Sequence, residues 1–247
     1  MAIDFDGTND AYTADISIFG VPLLPVFAQG FFNYDGQIGT KTLLYFSNAG
    51  AANTLILSKS GTTLSWTIFD GSSSFSVTAS ISAATWTGFQ VYMETTGTDE
   101  IGLRVWTTSA PGAFSTASGL PHTDLTVLNV GYDGSTNFFN GRMAELFVTM
   151  YSEDFSSQWT AVTDSLARLG TPLGILPPLH QDIVIDNSVS TIGLYWPMMT
   201  SSVATPVAAG NQTDLFNSDL LTAVDSPSSH PSHPRIYRSG GKKVTIN

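Results

Sequence analysis

Two neighbouring runs, Thr63-Leu64-Ser65-Trp66-Thr67-Ile68-Phe69 and Ser74-Phe75-Ser76-Val77-Thr78, alternate polar and apolar residues with a period of two. Successive side chains of a strand point to opposite faces, so this pattern buries one face of a sheet and wets the other. A helix would scatter the same residues around its whole girth. Asp70-Gly71 between the runs is a type I′ hairpin signal, and Ser60-Gly61 marks a further turn. Other β-prone runs flank this pair: Thr42–Phe46, Asn53–Lys59, Thr87–Glu94, Ile101–Trp106, Leu125–Val130 and Arg142–Met150. Strands at this spacing, with turn residues between them, predict a sandwich or barrel.

A chain of 247 residues suits one large all-β domain or two small ones. Apolar residues make up 42 % of it, enough for a sizeable core without cross-links. There is no cysteine, which excludes disulfides and thiolate metal sites. Met1-Ala2-Ile3-Asp4-Phe5-Asp6-Gly7 has neither the basic nor the apolar region of a secretory leader. The longest apolar stretch, Ile18–Phe32, is broken by Gly20, Pro22, Pro25 and Gly30, so no membrane span is expected. The expectation is a cytosolic product or a particle component that does not use secretion.

Charge is distributed unevenly. The first 234 residues carry five Lys or Arg against all 20 acids, a formal charge of −15. The last 13 carry Arg235, Arg238, Lys242 and Lys243 and no acid, a charge of +4. An acidic body repels nucleic acid, so none is expected as a partner. The basic end suits an acidic neighbour, another copy of the body included; the alternative is a solvated tail.

One segment has a helical period. Trp159, Val162, Leu166 and Leu169 form a stripe that Asp154 or Ser156 can cap and that Gly170 and Pro172 end. A short helix on the edge of the sandwich is expected there. Pro172, Pro177 and Pro178 then break the pattern. Ile183–Ile185 and Ile192–Trp196 are short strand candidates, and Ser228–Pro234 favours extended backbone. The expected organisation is a sandwich over residues 1–170, closing near residue 150, and a C-terminal extension or arm over 171–247. The sandwich itself or a neighbouring chain would order that arm. Truncation at Thr171 is expected to leave a folded, monomeric sandwich.

Ile3-Asp4-Phe5-Asp6-Gly7-Thr8-Asn9-Asp10-Ala11-Tyr12 resembles the FDGxxDY first strand of laminin-G-like, concanavalin A-like domains. Val130–Gly134 followed by Phe138–Val148 resembles the closing signature of that family, a strand, a loop and F-x-G-x-I-D-E-V-x-I before a short helix. The resemblance covers about two-thirds of the chain, residues 1–170. It implies an all-β fold, a concanavalin A-like antiparallel β-sandwich (jelly roll) with one short helix and an extended C-terminal arm. First and last strands of a jelly roll pair, so the two motifs should meet in space. The resemblance also implies a structural calcium ion where the ends meet, held by Asp6, Asp10 and Glu145. Two departures bear on it: Ala144 replaces the usual Asp beside the Glu, and Ala11 separates Asp10 from Tyr12. The alternative is that Asp6 and Asp10 only shape a Gly-containing turn.

Laminarinase-type hydrolases on this fold carry a Glu-x-Asp-x-x-Glu run, because two carboxylates must flank the glycosidic bond. The sequence has no such run; Glu94 and Asp99-Glu100 lie at turns with other spacing. It has no G-x-S-x-G elbow and no Cys nucleophile. His230 and His233, in a Ser-Pro run, are two ligands and too few for firm metal binding. The protein is therefore expected not to be an enzyme.

Glycan binding is the non-enzymatic use that the resemblance implies. Trp86, Tyr132 and Phe138 are candidates for stacking on sugar rings, with Asp133 and Asn137 for hydroxyl contacts. Phe138 and Phe139 read equally as packing residues, and Trp66 and Trp106 read as core. Two functions follow. One is a structural virion protein, a bacteriophage capsid decoration or fibre-associated subunit. Its sandwich is displayed, and its arm attaches through Arg235, Arg238, Lys242 and Lys243 to other virion proteins or copies of itself, as a homo-oligomer or part of a large assembly. The other is a free, extracellular carbohydrate-binding lectin with cell-surface glycans as partners. Neither calls for nucleic acid or a membrane.

Overall fold

The computed structural model describes residues 2–17, 26–48, 50, 52–94, 99–107, 112–118, 124–150, 193–196, 212–213, 220–224 and 228–230. They form two antiparallel sheets. Sheet A runs in the order β10 (Ser115–Ser118), β9 (Glu100–Trp106), β8 (Thr87–Glu94), β3 (Val26–Tyr34), β12 (Asn140–Met150), β1 (Ala2–Asp6) and β16 (Ser228–His230); β13 (Gly193–Trp196) also pairs with β12. Sheet B runs β14 (Gln212–Thr213), β15 (Leu220–Val224), β2 (Ala11–Asp15), β11 (Val127–Val130), β4 (Thr40–Ser47), β5 (Thr54–Ser60), β6 (Thr63–Phe69) and β7 (Ser74–Ser80).

The alternating runs place their apolar residues between the sheets. Leu64, Trp66 and Ile68 of β6 are buried beside Leu55 and Leu57 of β5, and Phe89, Val91 and Met93 of β8 join the same core from sheet A. Trp66 meets Phe46 edge-on at 6.1 Å. Burying one such large side chain contributes about 1.5–3 kcal/mol.

The two end motifs meet as expected. Strands β1 and β12 pair antiparallel, with Ile3 opposite Met143 and Asp6 opposite Asn140. The glycine of the closing motif is required here: Gly141 has φ +139°, and a Cβ on it would lie 2.3 Å from the Asn33 carbonyl oxygen.

Several expectations need correction. Strand β3 was hidden in the long apolar stretch; all nine of its residues are buried. Val26, Ala28, Phe32 and Tyr34 face the core, so Phe27, Gln29, Phe31 and Asn33 lie on the outer face of sheet A. A strand buried on both faces reads as a continuous apolar run, not as an alternation. Asp70-Gly71 is not a two-residue hairpin turn. Phe69 pairs with Ser74, which leaves a four-residue loop, and Asp70 Oδ1 accepts from the backbone N–H of Ser72 and Ser73. Trp106 lies outside the inter-sheet core, against Phe31 on the outer face.

The sandwich also does not close near residue 150. β13 pairs with β12, β15 pairs with β2 (Thr222 opposite Thr13), and β16 pairs with β1 (Ser229 opposite Ile3). Segments beyond residue 171 thus belong to both sheets. The helix expected near 156–169 and the strand candidate Ile183–Ile185 lie outside the described residues.

Candidate functional site

Backbone hydrogen bonds gather several loops at one end of the sandwich. Ala84 N–H donates to Tyr34 O at 2.9 Å, Ile81 N–H to Thr62 O at 2.9 Å and Thr42 N–H to Asn137 O at 2.9 Å. The segments 7–10, 35–39, 61–62, 81–86 and 131–139 therefore share this loop end.

The segment 131–139 is organised around Asp133. Its Oδ1 accepts from the backbone N–H of Ser135 at 3.0 Å, of Thr136 at 2.9 Å and of Asn137 at 3.3 Å, and from Ser135 Oγ at 3.0 Å. Its Oδ2 accepts from Asn137 Nδ2 at 2.5 Å. Burial pushes the carboxyl pKa up, but the N–H donors of Thr136, Ser135 and Asn137 outweigh it and hold it below the ordinary carboxylate range. Asp-Gly-Ser-Thr is thus a self-capping turn, with Gly134 at φ +87°. The turn brings Tyr132 and Phe138 face to face, centroids 5.5 Å apart and planes 9° apart. Both rings are half-buried. Phe139, the next residue, is fully buried and meets Phe5 at 5.9 Å, so it is a packing residue.

Tyr45 belongs to this site and was not singled out from the sequence. Leu44 and Phe46 point into the core, so Tyr45 takes the outer face of sheet B, opposite Asn129. Burial first, and the Asp133 charge second, raise the pKa of both Tyr45 and Tyr132. The alternation Leu44-Tyr45-Phe46 carried its orientation, but its nearness to Asp133 needed the β4–β11 pairing.

The calcium candidates do not converge. Asp6 N–H donates to Asp10 Oδ2 at 2.9 Å, and Asp6 Oδ1 accepts from Thr8 N–H at 2.7 Å and Asn9 N–H at 3.3 Å. These carboxylates cap the Gly7 turn. Glu145 sits five residues along β12 from Asn140, the partner of Asp6, roughly 16 Å away at the rise of a strand. Among the described residues no group of three or more His, Asp or Glu gathers as metal ligands. The set does not fit the ion the resemblance implied.

Trp86 directly precedes β8 and is half-buried, packed against Phe31 and Trp106 on the outer face of sheet A. Farther along this face Gln29, Gln90 and Arg104 stand in register across β3, β8 and β9. Arg104 Nε donates to Gln90 Oε1, and Gln90 Nε2 to Gln29 Oε1 at 2.6 Å. The Arg104 guanidinium lies 4.4 Å from the centre of the Phe114 ring. Nothing in the sequence pattern marks this buried polar chain, because it forms across three strands. Arg235, Arg238, Lys242 and Lys243 lie outside the described residues.

No family model matches the sequence, and no curated protein does. Solved structures are similar in fold. A putative carbohydrate binding protein from Bacteroides ovatus matches with TM-score 0.54 and 14 % identity over 94 % of this chain and 63 % of that one. A native heptameric SAP-like pentraxin from Limulus polyphemus matches with TM-score 0.51 and 12 % identity over 93 % of this chain and 95 % of that one. The LG1-3 region of the laminin alpha2 chain aligns at TM-score 0.48 and 12 % identity, over 60 % of this chain and 30 % of its own length. The fold is an all-β jelly-roll sandwich of two antiparallel sheets.

Proposed function

We propose that this chain is a non-enzymatic carbohydrate-binding module whose loop end faces the sugar. The observation that carries the reading is the Tyr132–Phe138 pair, two parallel, half-buried rings on a turn clamped by Asp133. Aromatic faces suit the C–H faces of a pyranose, and a clamped loop loses little freedom on binding. Asp133 is committed to the turn, so its part is positioning; Asn137, next to Phe138 in the chain, and Tyr45, near enough to feel the Asp133 charge, are the polar groups of the site. The lack of a Glu-x-Asp-x-x-Glu run supports a binding role over a hydrolytic one. The similar Bacteroides protein, itself a putative carbohydrate binding protein, supports the reading by analogy of fold. The Limulus pentraxin is heptameric, which by the same analogy favours association of copies and avidity for repeated glycans.

A glycan array with wild-type protein and a Tyr132→Ala/Phe138→Ala double variant tests the site. Binding that falls about tenfold or more in the variant is expected, the size of a modest hot spot. Silence of the wild-type protein across the array overturns the reading.

A further inference from the structure

We infer that a second saccharide subsite lies on the outer face of sheet A, at Trp86, Asn33 and Trp106, an inference that rests on the carbohydrate-binding reading. Two buried polar atoms point to it. Among the described residues Asn33 Oδ1 and Trp106 Nε1 have no hydrogen-bond partner, nor has Arg142 Nε opposite Asn33, although Asn33 is 6 % exposed and Trp106 4 %. Leaving a buried donor or acceptor unmet costs about 1–3 kcal/mol each, so two in one patch call for a ligand that supplies both a donor and an acceptor. A sugar hydroxyl is both.

The surroundings fit that chemistry. Trp106 lies over Gly88, where a Cβ would stand 2.2 Å from the indole, and meets Phe31 edge-on at 5.8 Å. Trp86 is one residue beyond the Phe32–Thr87 pair and so level with Asn33. It is the half-buried ring of the three, packed against the Phe31–Trp106 pair, so a sugar would have to displace it to reach the two atoms. Across the next strand Asn33 is opposite Arg142, and Arg142 is opposite Asp4. Arg142 Nε lies 3.5 Å from Asp4 Oδ1, and these two side chains are 25 % and 32 % exposed. The pair is electrically balanced, and the whole chain carries −11. A charged ligand gains little here, and an anion is repelled. The ligand class is a neutral, hydroxyl-rich saccharide.

Affinity electrophoresis through gels containing laminarin, dextran, galactomannan or heparin tests the assignment with the full chain. Retardation by at least one neutral polysaccharide is expected, weakened about tenfold in Trp86→Ala and in Asn33→Leu. Asn33→Asp, which keeps an acceptor oxygen, retains binding and controls for folding. Retardation that is unchanged in Trp86→Ala and Asn33→Leu but lost in Tyr132→Ala/Phe138→Ala overturns this subsite and leaves the general reading standing. No retardation in any gel, with a silent array, overturns both. Retardation by heparin alone overturns the neutral class.

Discussion

The indole Nε1 of Trp66, in sheet B, donates a hydrogen bond of 2.9 Å to the backbone oxygen of Tyr92, in sheet A. One side chain therefore fills the centre of the core and ties the sheets together. Trp66→Ala is expected to cost about 3–5 kcal/mol of unfolding free energy, the range for a large aromatic removed from a packed core. Trp86→Ala, at a half-buried position, should cost about 1 kcal/mol or less. Urea denaturation of both variants measures the contrast; equal losses would contradict the placement of Trp66.

Asp133 is the acid on which the 131–139 loop depends. Asp133→Ala should destabilise the fold by about 1 kcal/mol, because the exposed and half-buried N–H groups of the loop lose a charged acceptor and turn to water instead. Its folded pKa is lowered from 3.8. The stability it contributes is then fully present above the unfolded value and lost as pH falls through the lower, folded value. The gap between wild type and Asp133→Asn should stay constant down to pH 3.8 and shrink below it, as read from thermal melts in acid.

Lys59 is the buried cation of sheet B. Its Nζ donates to the Gln37 carbonyl and lies 4.9 Å from the centre of the Tyr34 ring. Burial, with the Lys41 charge second, lowers its pKa from 10.5. A lowered lysine pKa penalises the charged native state at low and neutral pH, and that penalty is relieved as pH rises from the folded value toward 10.5. Wild-type stability should therefore carry a rising component in that window. Lys59→Met should remove it, seen as a flatter plot of urea midpoint against pH; an unchanged slope would contradict it.

β15 and β16 cover the free edges of β2 and β1. Truncation at Thr171 removes both, together with β13, and leaves two open edges. Unpaired edge strands template association. The truncated protein should be less stable than the full chain and self-associate in size-exclusion chromatography. A monomer with unchanged melting temperature would restore the simpler division at residue 170.

Strands with one wet face, such as Thr63–Phe69 and Ser74–Ser80, were legible because alternation is a property of consecutive residues. The β1 and β12 motifs were legible for the same reason. Strand β3 was not, since burial on both faces erases the alternation. For the calcium candidates, matching motif positions did not fix distance: the β1–β12 register sets the backbone of Glu145 five residues along β12 from the partner of Asp6. Tyr132 and Phe138 were found as a sequence cluster, whereas Asn33, Trp106 and Tyr45 were not, because their neighbours come from other strands.

By itself the sequence determined an all-β chain, the glycine-marked places of its turns and the pairing of its end motifs. Those are local choices of backbone conformation and face. Tertiary structure decided which polar groups lie buried without partners, which aromatic rings meet, and that C-terminal segments complete both sheets. Each of these depends on register between strands far apart in the chain, and a shift of one residue would send every such side chain to the opposite face.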